Sequence, residues 1–274
     1  MSSVNTNVGA MIALQNLNAT SSDLQATQNR ISTGLKVSSA KDDGAAYAIA
    51  QSQRATVSSL DAVKDSLSRG SSVVDVSMSA GESVSDMLSQ LKEKALAASD
   101  TSLDTTSRDA LKNDFESIRD QITKTLSNAT FNGINLVDGS NASIAALANA
   151  GGTSTITVAG QDMSLGGSVV TLSTNASFSS ATSASNLLTT IDTSINNVSA
   201  SLAKLGTSSK ALENHMNFVG KLQDSLTAGI GNLVDADMAK ESAKLQALQT
   251  KQQLGIQALS IANQSTSTVL SLFR

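Results

Sequence analysis

GAAYAIAQSQRATVSSLDAVKDSLSRGSSVVDVSMSAGESVSDMLSQLKEKALAAS, residues 44–99, decides the fold of this chain. Leu60, Leu67, Val74, Leu88 and Ala95 share one heptad position, and Val63, Val84 and Leu91 share the other. Such a repeat aligns every apolar side chain along one seam of an α-helix, and no proline interrupts it. The spacing predicts a single helix, roughly 80 Å long at 1.5 Å per residue. A seam that long needs other long helices to cover it. Gly70 and Gly81 sit inside the pattern. Each costs about 1 kcal/mol of helix stability relative to alanine, and the use that offsets this is close approach of a neighbour, or local compliance.

Candidate partners lie on both sides. Upstream, Leu17, Leu24 and Ile31 fall seven apart, with Leu14 and Leu35 in the alternate position, which predicts a helix near 5–32 that loosens at Gly34. Asp42 and Asp43 then precede the long helix, where carboxylates can accept orphan N–H groups and oppose the positive helix end. Downstream, Leu111, Phe115, Ile118, Ile122, Leu126 and Ala129 mark a helix starting at Thr106 or Ser107. Asn132-Gly133 breaks it with the positive-φ pair that hairpins prefer. Thr155–Val158 and Met163–Leu165 alternate around Ala159-Gly160, and Val169–Leu172 follows, so a small β-hairpin insert is expected. Helical spacing returns from Leu188 to Leu233; Asp235 and Asp237 supply a second acidic helix start. A last helix carries Leu245, Leu248, Ala258, Ile261, Ala262, Val269 and Leu272.

The expected fold is mainly α: an elongated bundle of long antiparallel helices, coiled-coil in character, with the β-hairpin insert at the far end. Residues 1–40 and 231–274 would form one discontinuous unit of terminal helices that pair as a coiled coil on assembly. Residues 41–230 would form a helical rod that includes a solvent-exposed insert at 131–180. Leu17, Leu24 and Ile31 are expected to pair with Leu248, Ile261, Val269 and Leu272.

The 274 residues are 40% hydrophobic yet contain no Trp, Pro or Cys and only one Tyr, so burial relies on small aliphatic side chains, as suits helices packed side by side. The net charge of −4 shows no clustered Lys and Arg of the kind that neutralises nucleic-acid phosphates. No segment approaches the ~20 apolar residues that would span a bilayer. A basic start followed by an apolar run, the mark of a cleaved export signal, is absent. Neither Met1–Ser22 nor Gln252–Phe273 contains a charged residue. Ends of that kind suit burial against other helices, which points to polymer contacts.

Catalytic candidates are few. His215 is the one histidine, and without cysteine or a second histidine it has no partners for a metal or a triad, so a solvated or edge-packed role is the better reading. Asp42 and Asp43 lie far in sequence from Asp235 and Asp237, which favours capping over cation binding. Met11, Met78 and Met216 occupy stripe positions and are expected in the core. No metal, cofactor or catalytic activity is expected.

At both ends the residues resemble bacterial flagellin. The first block is Asn5-Thr6-Asn7 and the run RISTGLKVSSAKDD (30–43) with the alanine-rich stretch to Ala50. The second is DADMAKES (235–242), then QALSIANQ (257–264) and a leucine-rich end. Phe131-Asn132-Gly133 matches the family's turn after its outer helix. The resemblance implies terminal helices that pair as a coiled coil lining the inner tube of a filament, with central helices outside them and the variable middle facing solvent. It also implies an extracellular flagellar subunit, exported by the type III-like apparatus without a cleaved signal. Partners would be other copies of the chain, an export chaperone, and hook-associated and cap proteins. The short middle implies that the outer domains of larger flagellins are missing. A hook–filament junction protein shares similar ends and is the near rival. From another class, the Ala/Ser/Gln-rich helices also resemble a chemoreceptor's cytoplasmic hairpin, although a β insert at the turn counts against it.

Overall fold

A computed structural model describes the backbone of residues 6–271 and the side chains of residues 6–264. It contains α1 (Val8–Thr33), α2 (Gly44–Ala98), α3 (Thr105–Asn128), β1 (Ser143–Leu147), β2 (Thr155–Ala159), α4 (Ala181–Val234) and α5 (Met238–Ser271). Two compact units divide the chain: residues 1–55 with 225–274, and residues 56–224. The first therefore takes in the opening turns of α2 and the closing turns of α4. Within it Val37, Ala50, Ile230 and Val234 are buried, and Gln53 of α2 lies beside Gly229 of α4.

In the second unit the heptad seam of α2 is the core. Leu60, Val63, Leu67, Val74, Val84, Leu88, Leu91 and Ala95 are all buried. Helix α4 answers with a buried residue every seventh position, at Ala184, Ile191, Val198, Leu205, Leu212 and Val219. The two run antiparallel: Asp61 meets Gln223, Gly70 meets Leu212, Gly81 meets Leu202, and Lys92 pairs with Asp192 at 2.6 Å. The glycines do admit close neighbours. A Cβ on Gly70 would lie 3.3 Å from the Cβ of Ala146, and one on Gly81 would lie 3.2 Å from the Met163 sulfur.

Arg108 fastens the α2–α3 turn by donating to the carbonyls of Ala98, Asp100 and Leu103. Helix α3 buries Phe115, Ile122 and Leu126, and starts at Thr105, slightly ahead of the expected site. Past its end, Asn132 and Gly133 adopt φ of 52° and 78°. Phe131 and Ile134 exchange both backbone hydrogen bonds at 3.0 Å, which closes a tight two-residue turn.

The insert departs from the expected pairing. β2 occupies the expected strand at Thr155, but its partner is β1, with Ser143 opposite Ala159 and Leu147 opposite Thr155. Met163–Leu165 and Val169–Leu172 form no ladder; Met163, Val170 and Leu172 are instead fully buried in irregular chain. Nor does the hairpin sit at the far α2–α3 turn. The Leu147 amide donates to the Ser66 hydroxyl at 3.0 Å, and the His215 ring donates to the Ala148 carbonyl at 2.7 Å. Ser66 lies about 48 Å along α2 from its C-terminal end at 1.5 Å per residue. Residues 131–180 therefore fold back along the helices, adding Leu136, Met163, Val170, Leu172 and Phe178 to the core while β1 and β2 keep mostly exposed or half-buried side chains, so the expected solvent-exposed insert is exposed only in part. Phe178 makes an edge contact with Phe115 at 5.3 Å, and Arg119 donates to the Ala176 carbonyl at 2.8 Å.

Candidate assembly surface

In the first unit, α1 begins where the Asn7 side chain accepts the Ala10 amide at 3.0 Å. It ends at Gly34, whose φ of 72° lets its N–H reach the Arg30 carbonyl at 2.9 Å. Gly34 thus stops the helix cleanly where loosening was expected. The two links beyond are tied together: the Lys36 and Val37 amides donate to the Val234 carbonyl, and Ala236 donates to Gly34.

The four acidic residues divide their labour. Asp43 caps α2, its Oδ1 accepting the amides of Ala45 and Ala46 at 3.0 Å. Asp237 caps α5 in the same way through Ala239 and Lys240. Asp42 differs from the expected cap. Its Oδ2 accepts the amides and hydroxyls of Ser38 and Ser39, bracing the turn before the helix. The Ser38 hydroxyl, followed by the Ser39 amide, holds its carboxyl below the ordinary carboxylate value. Asp235 forms an isolated backbone bridge with Leu35 and packs its carboxylate beside Gly231, so it too serves the link between helices.

Helices α1 and α5 pair antiparallel. Asn7 donates to the Ala262 carbonyl at 2.8 Å, Leu17 packs on Gly255, Gln252 donates to the Ser21 hydroxyl at 3.2 Å, and Arg30 meets Glu241 at 3.4 Å. Leu17, Leu24 and Ile31 lie half-buried in this seam, and Leu248 opposite is buried. The alternate heptad position belongs to Ala13, Thr20 and Thr27, the threonines fully buried. Leu14, expected there, is largely exposed. Along α5 the seam continues through Gln252, Gly255, Leu259 and Ala262. Ile261 is one residue off it, about 100° around the helix, and is 68% exposed rather than packed on α1. The side chain of Val269 and the whole of Leu272 lie outside the described residues.

The pair consequently carries apolar groups on a second side. Val8, Met11 and Ile12 project from α1 away from its seam, and Leu254 and Ile261 flank the seam of α5, with exposures of 54% to 68%. Met11 is thus a surface residue and not core. A groove of about 360 Å³ opens beside them where Gly255 lacks a side chain, lined by Ala13, Leu17, Thr20 and Leu254. Exposed large apolar groups in this number, on both helices of the pair, mark an interaction site. Among the described residues no group of His, Cys, Asp and Glu could hold a metal ion, and no helix is long and apolar enough to cross a membrane. Sequence reasoning missed the second stripe because Ile261 and Met11, read alone, look like core residues.

Comparison with known proteins agrees with this geometry. Residues 4–142 match the bacterial flagellin N-terminal helical region, and residues 188–273 match the C-terminal helical region. Flagellin FljM of Caulobacter vibrioides is 58% identical over 274 residues, covering 100% of this chain and 99% of that protein. A flagellin of Brucella melitensis is 38% identical over 283 residues, with 100% of both chains covered. Among solved structures, a putative flagellar hook-associated protein from Vibrio parahaemolyticus shares the fold, with a TM-score of 0.60 at 14% identity over 71% of this chain and 100% of that one. Two family regions and full-length identity above half lead to one conclusion: the chain belongs to the bacterial flagellin family, in a short form without a large outer domain.

Proposed function

We propose that this flagellin builds the filament used in swimming by burying the outward stripe of its α1–α5 pair against neighbouring copies. The role is structural. The observation that carries it is the second apolar side, Val8, Met11 and Ile12 on α1 with Leu254 and Ile261 on α5, which one chain leaves uncovered. Burial of such groups releases about 25 cal/mol per Å² of apolar area, and repetition along a lattice lets modest contacts outweigh the ordering of the helices. The groove at Gly255 offers a receptor for a side chain of the next copy. In this reading the protein is extracellular and leaves the cell through the flagellar export apparatus without signal cleavage. An export chaperone, hook-associated proteins and a cap protein are its further partners.

The test is a Leu254→Ser/Ile261→Ser double variant. Both positions lie off the α1–α5 seam, so the circular-dichroism spectrum and thermal midpoint of the monomer should hold while seeded elongation is lost. Elongation at the wild-type rate would refute the assignment. Self-seeded growth of the unmodified chain into long tubes would also separate a filament subunit from a junction protein, which stops after a few copies.

A further inference from the structure

We propose that Met11 is an oxidation-sensitive site that switches assembly competence, an inference that rests on the filament reading above. Met11 is 62% exposed on α1 and stands one turn beyond Val8 on its uncovered side. The other described methionines are placed differently. Met87 and Met163 are buried, Met78 and Met216 are half-buried, and Met238 is 44% exposed but lies at the start of α5, away from Leu254 and Ile261. Among the described residues a peroxide therefore has two open thioethers to attack, and one of them belongs to the assembly face.

The chemistry needs only hydrogen peroxide. Its O–O bond breaks, one oxygen is transferred to the Met11 sulfur, which is oxidised by two electrons to the sulfoxide, and the peroxide is reduced to water. The product replaces a flexible apolar group with a polar S=O acceptor. Of its neighbours on α1, Val8 and Ile12 offer no side-chain donor, Asn7 spends its amide on the Ala262 carbonyl, and Gln15 lies one turn further on. When the next copy covers the stripe, that oxygen loses water, and in place of an apolar contact it must find a donor such as the Gln15 amide or stay unpaired. The unpaired buried dipole should raise the critical concentration for elongation roughly ten- to a hundredfold. Once assembled, the same sulfur is shielded, so monomers outside the filament would be vulnerable and subunits within it protected.

Purified full-length monomer is treated with hydrogen peroxide, the oxidised peptides are identified by mass spectrometry, and seeded elongation is measured against each protein's own untreated sample. Wild type should lose elongation, Met238→Leu should lose it equally, and Met11→Leu should keep its untreated level. Methionine sulfoxide reductases supplied with dithiothreitol as reductant should restore oxidised wild type and equally restore Met238→Leu, in which Met11 is the remaining described open thioether. Peptide mapping should show Met11 oxidised more slowly in filaments than in monomers. Elongation unchanged despite sulfoxide at Met11, or equal sensitivity of Met11→Leu, would overturn the inference while leaving the filament reading intact. Failure of untreated wild type to elongate would remove that reading, and this one with it.

Discussion

Gly81 of α2 and Leu202 of α4 approach so closely that a Cβ on the glycine would lie 2.8 Å from the leucine Cδ2. Gly81→Ala should therefore gain little, because the Leu202 methyl and the Met163 thioether, the ends of flexible side chains, must shift to admit it, which offsets the helix-propensity gain of ~1 kcal/mol. Gly220 is the counter-case: it lies inside α4, and a Cβ added there would meet nothing within 4 Å. Gly220→Ala should stabilise by roughly 0.5–1 kcal/mol. Urea unfolding should find Gly220→Ala the more stable of the two; an equal or larger gain for Gly81→Ala would contradict the packing described.

The long helices were legible because their seams repeat every seven residues without proline, as Leu60, Leu67 and Val74 do. Three features were not. Thr20 and Thr27 fill seam positions as hydroxyl-bearing residues, which a search for apolar periodicity assigns to solvent. Ile261 and Met11 look like core residues because intramolecular and intermolecular burial leave the same mark on a sequence. β1 reads Ser-Ile-Ala-Ala-Leu, too rich in alanine to announce a strand, and is a strand because β2 lies beside it. Of the four aspartates, the two that cap, Asp43 and Asp237, are the second member of each group; spacing alone did not distinguish them from Asp42 and Asp235.

Thr27 is fully buried in the α1–α5 seam and its hydroxyl has no hydrogen-bond partner. A buried donor left unpaired costs about 1–3 kcal/mol, while valine keeps the shape and removes the polar atom. Thr27→Val should raise the stability of the pair by up to ~1 kcal/mol. A lower thermal midpoint would reveal a partner for the hydroxyl.

Acid should loosen the Ser38–Asp42 turn. The folded Asp42 carboxyl lies below its ordinary value of 3.8, held down by the Ser38 hydroxyl and then the Ser39 amide. A group with a depressed folded value stabilises above the unfolded value and loses that contribution as pH falls through the folded one. The turn should thus be unchanged from neutral pH to about pH 4 and open only below it, with Asp42→Asn removing this pH dependence. Asp100 in the α2–α3 turn, lowered chiefly by the Ser102 amide, should titrate in the same direction. Carboxyl titration by NMR checks both, and a midpoint above 3.8 for Asp42 would reverse the sign.

Asp43 and Asp237 each satisfy two amides at a helix start. Replacement of either by alanine should cost about 1 kcal/mol, with asparagine retaining most of it. Equal losses from alanine and asparagine would mean that charge rather than acceptor geometry stabilises these ends.

Arg30 and Glu241 meet across α1 and α5 at 3.4 Å, with side-chain exposures of 32% and 11%. At that distance and exposure their coupling should be modest, about 0.5–1 kcal/mol in a double-mutant cycle. Register is where the pair matters more. Sliding α5 by one heptad along α1 sets Glu241 against Asp23, a like-charge contact, whereas the observed register sets it against a cation. Glu241→Lys reverses both terms, repelling Arg30 and attracting Asp23. Disulfide trapping between cysteines introduced at Ser21 and Gln252, which touch in the observed register, should be efficient in an otherwise wild-type chain and weakened by Glu241→Lys. Undiminished trapping would show that apolar contacts such as Leu17 on Gly255 hold the register without help from charge.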